Sequence, residues 1–127
     1  MRHPLVLVAE DERDIRELIV ISLELEGFNV VEVPNGEEAV KKAKEIKPDL
    51  ILMDVRMPKM TGYEACKVLK AEDATKEIPV VFLSAKGQEA EVNTGLELGA
   101  EEYLLKPFAP DELSGRVTLF RTKANWK

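Results

Sequence analysis

Several short apolar runs in this sequence stop on side chains that can do chemistry. Residues 5–9 run into Glu10-Asp11, residues 50–53 into Asp54, residues 80–83 into Ser84-Ala85, and residues 103–105 into Lys106-Pro107. If these run ends lay side by side, the carboxylates of Glu10, Asp11 and Asp54 would meet a hydroxyl and an ammonium. Clustered carboxylates repel, so one of them titrates high unless a cation neutralises the group. Hard oxygen ligands that fill only part of a coordination shell suit Mg²⁺, which keeps several waters and readily takes a phosphate oxygen. Lys106 would add a second positive charge. A carboxylate in such surroundings can accept a phosphoryl group. That chemistry asks mainly for positioning and charge neutralisation, because the transferring group is loose and strongly anionic. Asp54 is the leading acceptor, since it follows Leu50-Ile51-Leu52-Met53 directly, where the chain has just been in the core. Acidic residues at strand ends can also be merely solvated or cap a helix, as Asp11 could for the first helix.

The elements that must position these groups follow from the apolar pattern. Residues 5–9, 28–33, 50–53, 80–83 and 103–105 are short and several are β-branched, which predicts strands. Residues 5–9, 50–53 and 80–83 show no polar alternation, so both of their faces should be covered, as in a parallel sheet. Between the runs lie helical patterns. Ile15, Leu18, Ile19, Ser22, Leu23 and Leu25 mark the first, with Gly27 as a stop signal. Asn35 can cap the second, whose apolar face is Ala39, Val40, Ala43 and Ile46. Gly62 leads into a third with Ala65, Cys66, Val68 and Leu69. A fourth runs roughly over residues 88 to 98, and a fifth starts at Pro110 and continues through Leu113, Val117 and Phe120. Strand–helix alternation of this kind predicts an α/β fold with a parallel sheet covered by helices on both faces. In such sheets function gathers at the carboxyl edge.

Composition narrows the class. A chain of 127 residues suits one compact domain. Its net charge of −6 argues against a general nucleic-acid or membrane surface. The lone Cys66 excludes an intramolecular disulfide and falls in a helical pattern with no redox motif around it. The first apolar run is too short to span a membrane and no small-residue cleavage site follows it, so the cytoplasm is the expected compartment.

With these residues in view, the chain resembles the response regulator receiver domains of two-component systems, the CheY-like superfamily. The resemblance rests on Val8-Ala9-Glu10-Asp11-Glu12, Met53-Asp54-Val55-Arg56-Met57-Pro58, Thr61-Gly62, Leu83-Ser84-Ala85 and Tyr103-Leu104-Leu105-Lys106-Pro107-Phe108, in that order. It implies a flavodoxin-like, doubly wound (βα)5 fold with strand order 2-1-3-4-5. It implies that Asp54 is the phosphoacceptor and that Glu10, Asp11, Asp54 and the backbone carbonyl of Arg56 hold Mg²⁺, for which Mn²⁺ can substitute. Asp11 is the more direct ligand of the acidic pair. Ser84 would hydrogen-bond the phosphoryl group, Lys106 would neutralise it, and the Lys106–Pro107 bond would be cis and help aim the lysine inward. Tyr103 would be the aromatic switch residue that turns inward when Ser84 moves. The implied partners are a sensor histidine kinase or histidine phosphotransfer domain, and downstream an output domain or target protein. A homodimer through the fourth helix, fifth strand and fifth helix is one association the resemblance allows. Direct nucleic-acid or membrane binding is not implied. His3, before the first strand, cannot stand in for the phosphodonor.

Some features depart from the family or stay open. In the family the positions of Arg56 and Lys86 flank the mouth of the crevice, and two long basic side chains there would attract the anionic donor, crowd an attacking water or remain solvated. A haloacid-dehalogenase-type phosphatase also uses an aspartate after a strand, but it needs a second aspartate two residues later, where this chain has Arg56. Neither Gly-x-x-x-x-Gly-Lys nor Gly-x-Gly-x-x-Gly occurs. A receiver-like docking module that is never phosphorylated is the other alternative, and the combination of Asp54, Asp11, Ser84 and Lys106 argues against it. Residues 1–127 read as one receiver domain, and the basic tail over residues 121–127 either finishes the last helix or begins a linker.

Overall fold

Leucine-rich and β-branched runs form the strands β1 (Leu5–Ala9), β2 (Asn29–Val33), β3 (Leu50–Asp54), β4 (Val80–Ala85) and β5 (Glu102–Lys106). The structure, a computed structural model, describes residues 4–85, residues 102–106, and Leu113, Gly115 and Val117; of residues 84–85 and 102–106 it describes the backbone. All five strands are parallel and lie in the order β2-β1-β3-β4-β5. The crossovers carry α1 (Arg13–Leu25), α2 (Gly36–Ile46) and α3 (Gly62–Ala71), and Leu113, Gly115 and Val117 are helical. This is the flavodoxin-like order. The chain turns outward from β1 to β2 and then returns to β3 on the other side, which opens a crevice between the carboxyl ends of β1 and β3. Among the described residues, no helix is long and apolar enough to cross a membrane.

Alternation along the strands builds two apolar layers. Leu7, Ala9, Ile51, Met53, Val80 and Phe82 face Ala39, Val40, Ala43, Ala65, Cys66 and Leu69 of α2 and α3. Val6, Val8, Leu50, Leu52, Val81 and Leu83 face Ile19, Leu23 and Phe28, together with Leu113 and Val117. Every residue of β3 is buried, as its unbroken apolar run requires. Each large side chain buried in this way contributes roughly 1.5–3 kcal/mol, so β3 is a stiff platform for the Asp54 at its end.

Helix ends follow local chemistry. The Asn35 side chain accepts from the Glu38 N–H at 2.9 Å and starts α2. Gly27, at φ +91°, turns the chain after α1, a conformation that costs a glycine little. The first helix departs from expectation at its start. Its N-cap is Glu12, whose side chain makes no capping bond, so Asp11 is not the cap. Its apolar face is also narrower than the spacing suggests. Ile19, Ser22 and Leu23 are buried and Ile15 packs beside them, whereas Leu18 is 43% exposed and Leu25 82%. A helix turns about 100° per residue, and the sheet covers only the stripe through Ile19 and Leu23. Strand ends shift slightly: Phe28 lies buried just ahead of β2, and Asp54 is the last residue of β3. The helix expected over residues 88 to 98, Phe120, the tail, His3, Lys86 and Pro107 lie outside the described residues.

The uneven burial of α1 has a measurable consequence. Leu23→Ala should cost about 2–5 kcal/mol in urea unfolding, and Leu18→Ala should stay within about 0.5 kcal/mol of the parent. Equal losses at the two positions would contradict this placement of the helix.

Candidate functional site

β1 and β3 reach the crevice at the same level, because Ala9 pairs with Met53. Glu10 and Asp54 therefore stand one step beyond that rung. Glu10 is fully buried, Asp54 is buried, and Asp11 is exposed. One carboxylate oxygen from each lies within 4.8 Å of the others, so the structure brings together the acidic residues singled out in the sequence.

Backbone bonds hold both ends of the cluster. The Glu10 N–H donates to the Val33 carbonyl at 3.2 Å, and the Glu10 carbonyl accepts from Arg16 Nη1 at 2.7 Å. The Glu12 N–H donates to Glu10 Oε2 at 3.2 Å. On the other side, Asp54 Oδ1 accepts from the Arg56 N–H at 3.4 Å. The Val55 N–H continues the ladder to the Leu83 carbonyl at 3.1 Å.

The loop between β3 and α3 is seated by close backbone approach. A Cβ on Gly62 would fall 2.2 Å from the Asp54 carbonyl oxygen, and a Cβ on Gly36 would fall 2.2 Å from the Met60 carbonyl oxygen. Glycine at these two helix starts lets α2 press on the loop and α3 press on the backbone of Asp54. Within the loop Lys59 takes φ +67°, a left-handed conformation costly for a side chain, and the Met60 N–H donates to the Pro58 carbonyl at 2.7 Å. A reciprocal cap then fixes the start of α3. The Glu64 N–H donates to Thr61 Oγ1 at 3.2 Å and the Thr61 N–H donates to Glu64 Oε1 at 3.0 Å. The Thr61 backbone N–H, and after it the Thr61 hydroxyl, hold the Glu64 carboxyl below its usual range. The Tyr63 ring meets Phe82 of β4 edge-on, with centroids 5.1 Å apart and planes at 82°.

The remaining candidates are placed by backbone register. Asp54 pairs with Leu83, Ser84 with Leu105, Ala85 with Lys106, and Phe82 with Tyr103. Ser84 and Lys106 thus sit on the same carboxyl edge as Asp54. Their side chains, and that of Tyr103, lie outside the described residues. Arg56 is exposed, with its main chain two residues beyond Asp54. Cys66 is buried in the core of α3, and burial pushes its thiol up, away from reactivity.

The donor set fits a hard divalent cation. One carboxylate oxygen from each of three residues, all within 4.8 Å of one another, supplies hard donors close enough to share one ion. An all-oxygen set with one exposed member also leaves room for waters. Arg16, Gly36 and the Thr61–Glu64 cap were not singled out in the sequence. Thr61-x-x-Glu64 is a legible capping signature, whereas nothing local marks Arg16 or Gly36.

Comparison with known proteins agrees with this geometry. Residues 6–118 match the family model described as the response regulator receiver domain. The chain is 45% identical over 112 residues to the alkaline phosphatase synthesis transcriptional regulatory protein PhoP of Bacillus subtilis, covering 88% of this chain and 46% of that protein. It is 46% identical over 112 residues to the phosphate regulon transcriptional regulatory protein PhoB of Escherichia coli, covering 88% of this chain and 49% of that one. The chain thus spans about half the length of these curated relatives. Among solved structures, the receiver domain of the sensor histidine kinase PA1611 of Pseudomonas aeruginosa superposes with a TM-score of 0.85 at 30% identity, over 93% of this chain and 97% of that one. That structure has a magnesium ion coordinated in its active site cleft.

Gly62→Ala must drive α3 and the Asp54 backbone apart and should cost roughly 1–3 kcal/mol in urea unfolding; an unchanged midpoint would show that the seat yields freely. The cap carries a pH signature. Its bonds hold the folded-state pKa of Glu64 below the unfolded value, so its contribution is complete above the ordinary carboxylate range and fades as pH falls through the lowered pKa. In Thr61→Ala, which removes the hydroxyl and keeps the backbone N–H, the Glu64 titration followed by carboxyl-carbon NMR should move only part of the way back up; an unmoved titration would show that the hydroxyl contributes nothing.

Proposed function

The chain belongs to the response regulator receiver domains of two-component systems, and from that premise we propose that it is a phosphorylation-activated switch whose phosphoacceptor is Asp54. The observation that carries the proposal is the convergence of Glu10, Asp11 and Asp54 at the end of a fully buried strand. The donor would be a phosphohistidine on a sensor histidine kinase or histidine phosphotransfer domain. A carboxylate oxygen of Asp54 attacks the phosphorus, the new P–O bond forms as the P–N bond breaks, and the electron pair leaves with the imidazole nitrogen. β3 and the seat under Gly62 hold the nucleophile in place, so little reorganisation is left for the reaction.

Glu10, Asp11, Asp54 and the carbonyl of Arg56 would hold Mg²⁺, with Mn²⁺ able to take its place. Bound there, the ion supplies charge neutralisation for the carboxylates and for the phosphoryl oxygens. Ser84 would donate a hydrogen bond to the phosphoryl group and Lys106 an ammonium. Both come from the edge where Ser84 pairs with Leu105 and Ala85 with Lys106. Phosphorylation adds about −1.5 to −2 charges. Movement of Ser84 toward that charge would open space for Tyr103, which lies one strand over, beside Phe82. The surface of the fourth helix, β5 and the fifth helix would then change for an output domain, a target protein or a second copy of the chain. This is a local charge event read by a two-state element. No conventional enzymatic turnover is proposed beyond the domain's own phosphotransfer and dephosphorylation.

Acetyl phosphate with Mg²⁺ should label the protein on Asp54, located by peptide mass spectrometry, through a linkage that base and hydroxylamine cleave. Asp54→Asn should abolish the labelling and excess chelator should suppress it. Labelling that persists undiminished in Asp54→Asn would place the acceptor elsewhere, and none in the parent would favour an unphosphorylated docking module.

A further inference from the structure

Arg16, in the first turn of α1, ties the carboxylate cluster to the edge of the sheet. Its Nη1 donates to the Glu10 carbonyl at 2.7 Å, and its Nε donates to Glu32 Oε1 of β2 at 3.0 Å. The guanidinium side chain is only 17% exposed. We propose that Arg16 is a positioning residue that fixes the Glu10-Asp11 turn and thereby sets the affinity of the carboxylate cluster for a divalent cation; this rests on the reading above that the cluster holds one.

The geometry supports a positioning role. The Glu10 N–H is already bonded to the Val33 carbonyl, so Arg16 completes a clamp on both peptide groups of Glu10. Both anchors of that clamp, Glu32 and Val33, are neighbours on β2. The carbonyl that Arg16 holds belongs to the peptide joining Glu10 to Asp11, and fixing that plane limits the direction in which the exposed Asp11 side chain leaves the backbone. Second-layer contacts of this kind orient ligands without touching the ion.

A guanidinium beside an anionic site could instead act through charge. The two effects have opposite signs. Removing a cation makes the cluster more negative and more attractive to Mg²⁺, whereas releasing the turn makes the ligands less well placed. Glu32 neutralises the guanidinium at 3.0 Å, so little net field reaches the cluster, and positioning wins. A lysine cannot replace the arginine, because a compact ammonium lacks the planar fork that reaches both partners at fixed angles.

The test is a calorimetric Mg²⁺ titration of the parent, Arg16→Gln and Arg16→Lys, with amide hydrogen exchange of the metal-free proteins. Both variants should bind Mg²⁺ about tenfold more weakly. Exchange should quicken at Asp11 and Glu12 while Leu52 of β3 keeps its protection. Parent-like or tighter binding by Arg16→Gln overturns the proposal. Should that variant not fold, Arg16→Lys decides: parent-like affinity there means charge suffices and the proposal fails. A parent that takes up no Mg²⁺ overturns the metal reading of the cluster and this inference with it, whereas a binding parent with unaffected variants overturns this inference alone.

Discussion

Glu10 and Asp54 are carboxylates that the fold buries side by side, with oxygens within 4.8 Å of each other and of Asp11. At an effective dielectric near 20, two unit charges at that separation repel by about 3 kcal/mol. The surrounding structure fixes their positions. It does so with stiff parts. β3 is buried along its whole length, α3 starts in a reciprocal cap, and glycines at the starts of α2 and α3 let the helices close directly on the backbone of the β3–α3 loop. Lys59 carries a left-handed backbone in that same loop. Backbone strain and a carboxylate cluster gathered in one place, with rigid packing around them, suit the proposed site for a ligand of opposite charge.

The same crowding explains why a phosphoryl switch suits this crevice. The register sets which strand positions lie beside Asp54. Asp54 is level with Leu83, the next rung holds Ser84 and Leu105, and the one after it Ala85 and Lys106. On the proposed reading, charge added at Asp54 is felt one strand away at β4 and two strands away at β5. The response passes through neighbouring backbone positions and needs no long-range path.

Much of this arrangement was legible in the sequence. Leu50-Ile51-Leu52-Met53 suits a strand covered on both faces, and that run delivers Asp54 to the edge of the sheet. Asn35 announced the start of α2, and Gly27 the turn after α1. The buried face of the first helix is less legible. Leu18 and Leu25 satisfy helical spacing as well as Ile19 and Leu23 do, and only the position of the sheet decides which stripe is covered. Arg16 was not legible at all, because its partners are a main-chain carbonyl and a glutamate 16 residues away. Neither leaves a local trace in composition. Gly36 is similar: its need for a missing Cβ comes from Met60, a residue that only the tertiary fold brings near.

The central proposal, that a divalent cation bound by Glu10, Asp11 and Asp54 offsets their mutual repulsion, can be measured through stability. Urea unfolding of the parent and of Asp54→Asn would be compared at neutral pH, once in excess chelator and once in saturating Mg²⁺. The account predicts that in chelator the variant is the more stable protein, by about 1 kcal/mol or more, because a like charge has been removed. It further predicts that Mg²⁺ stabilises the parent by the linkage expected for a ligand bound only to the folded state, and stabilises the variant much less. A variant no more stable than the parent in chelator, together with equal Mg²⁺ effects on both, would contradict it.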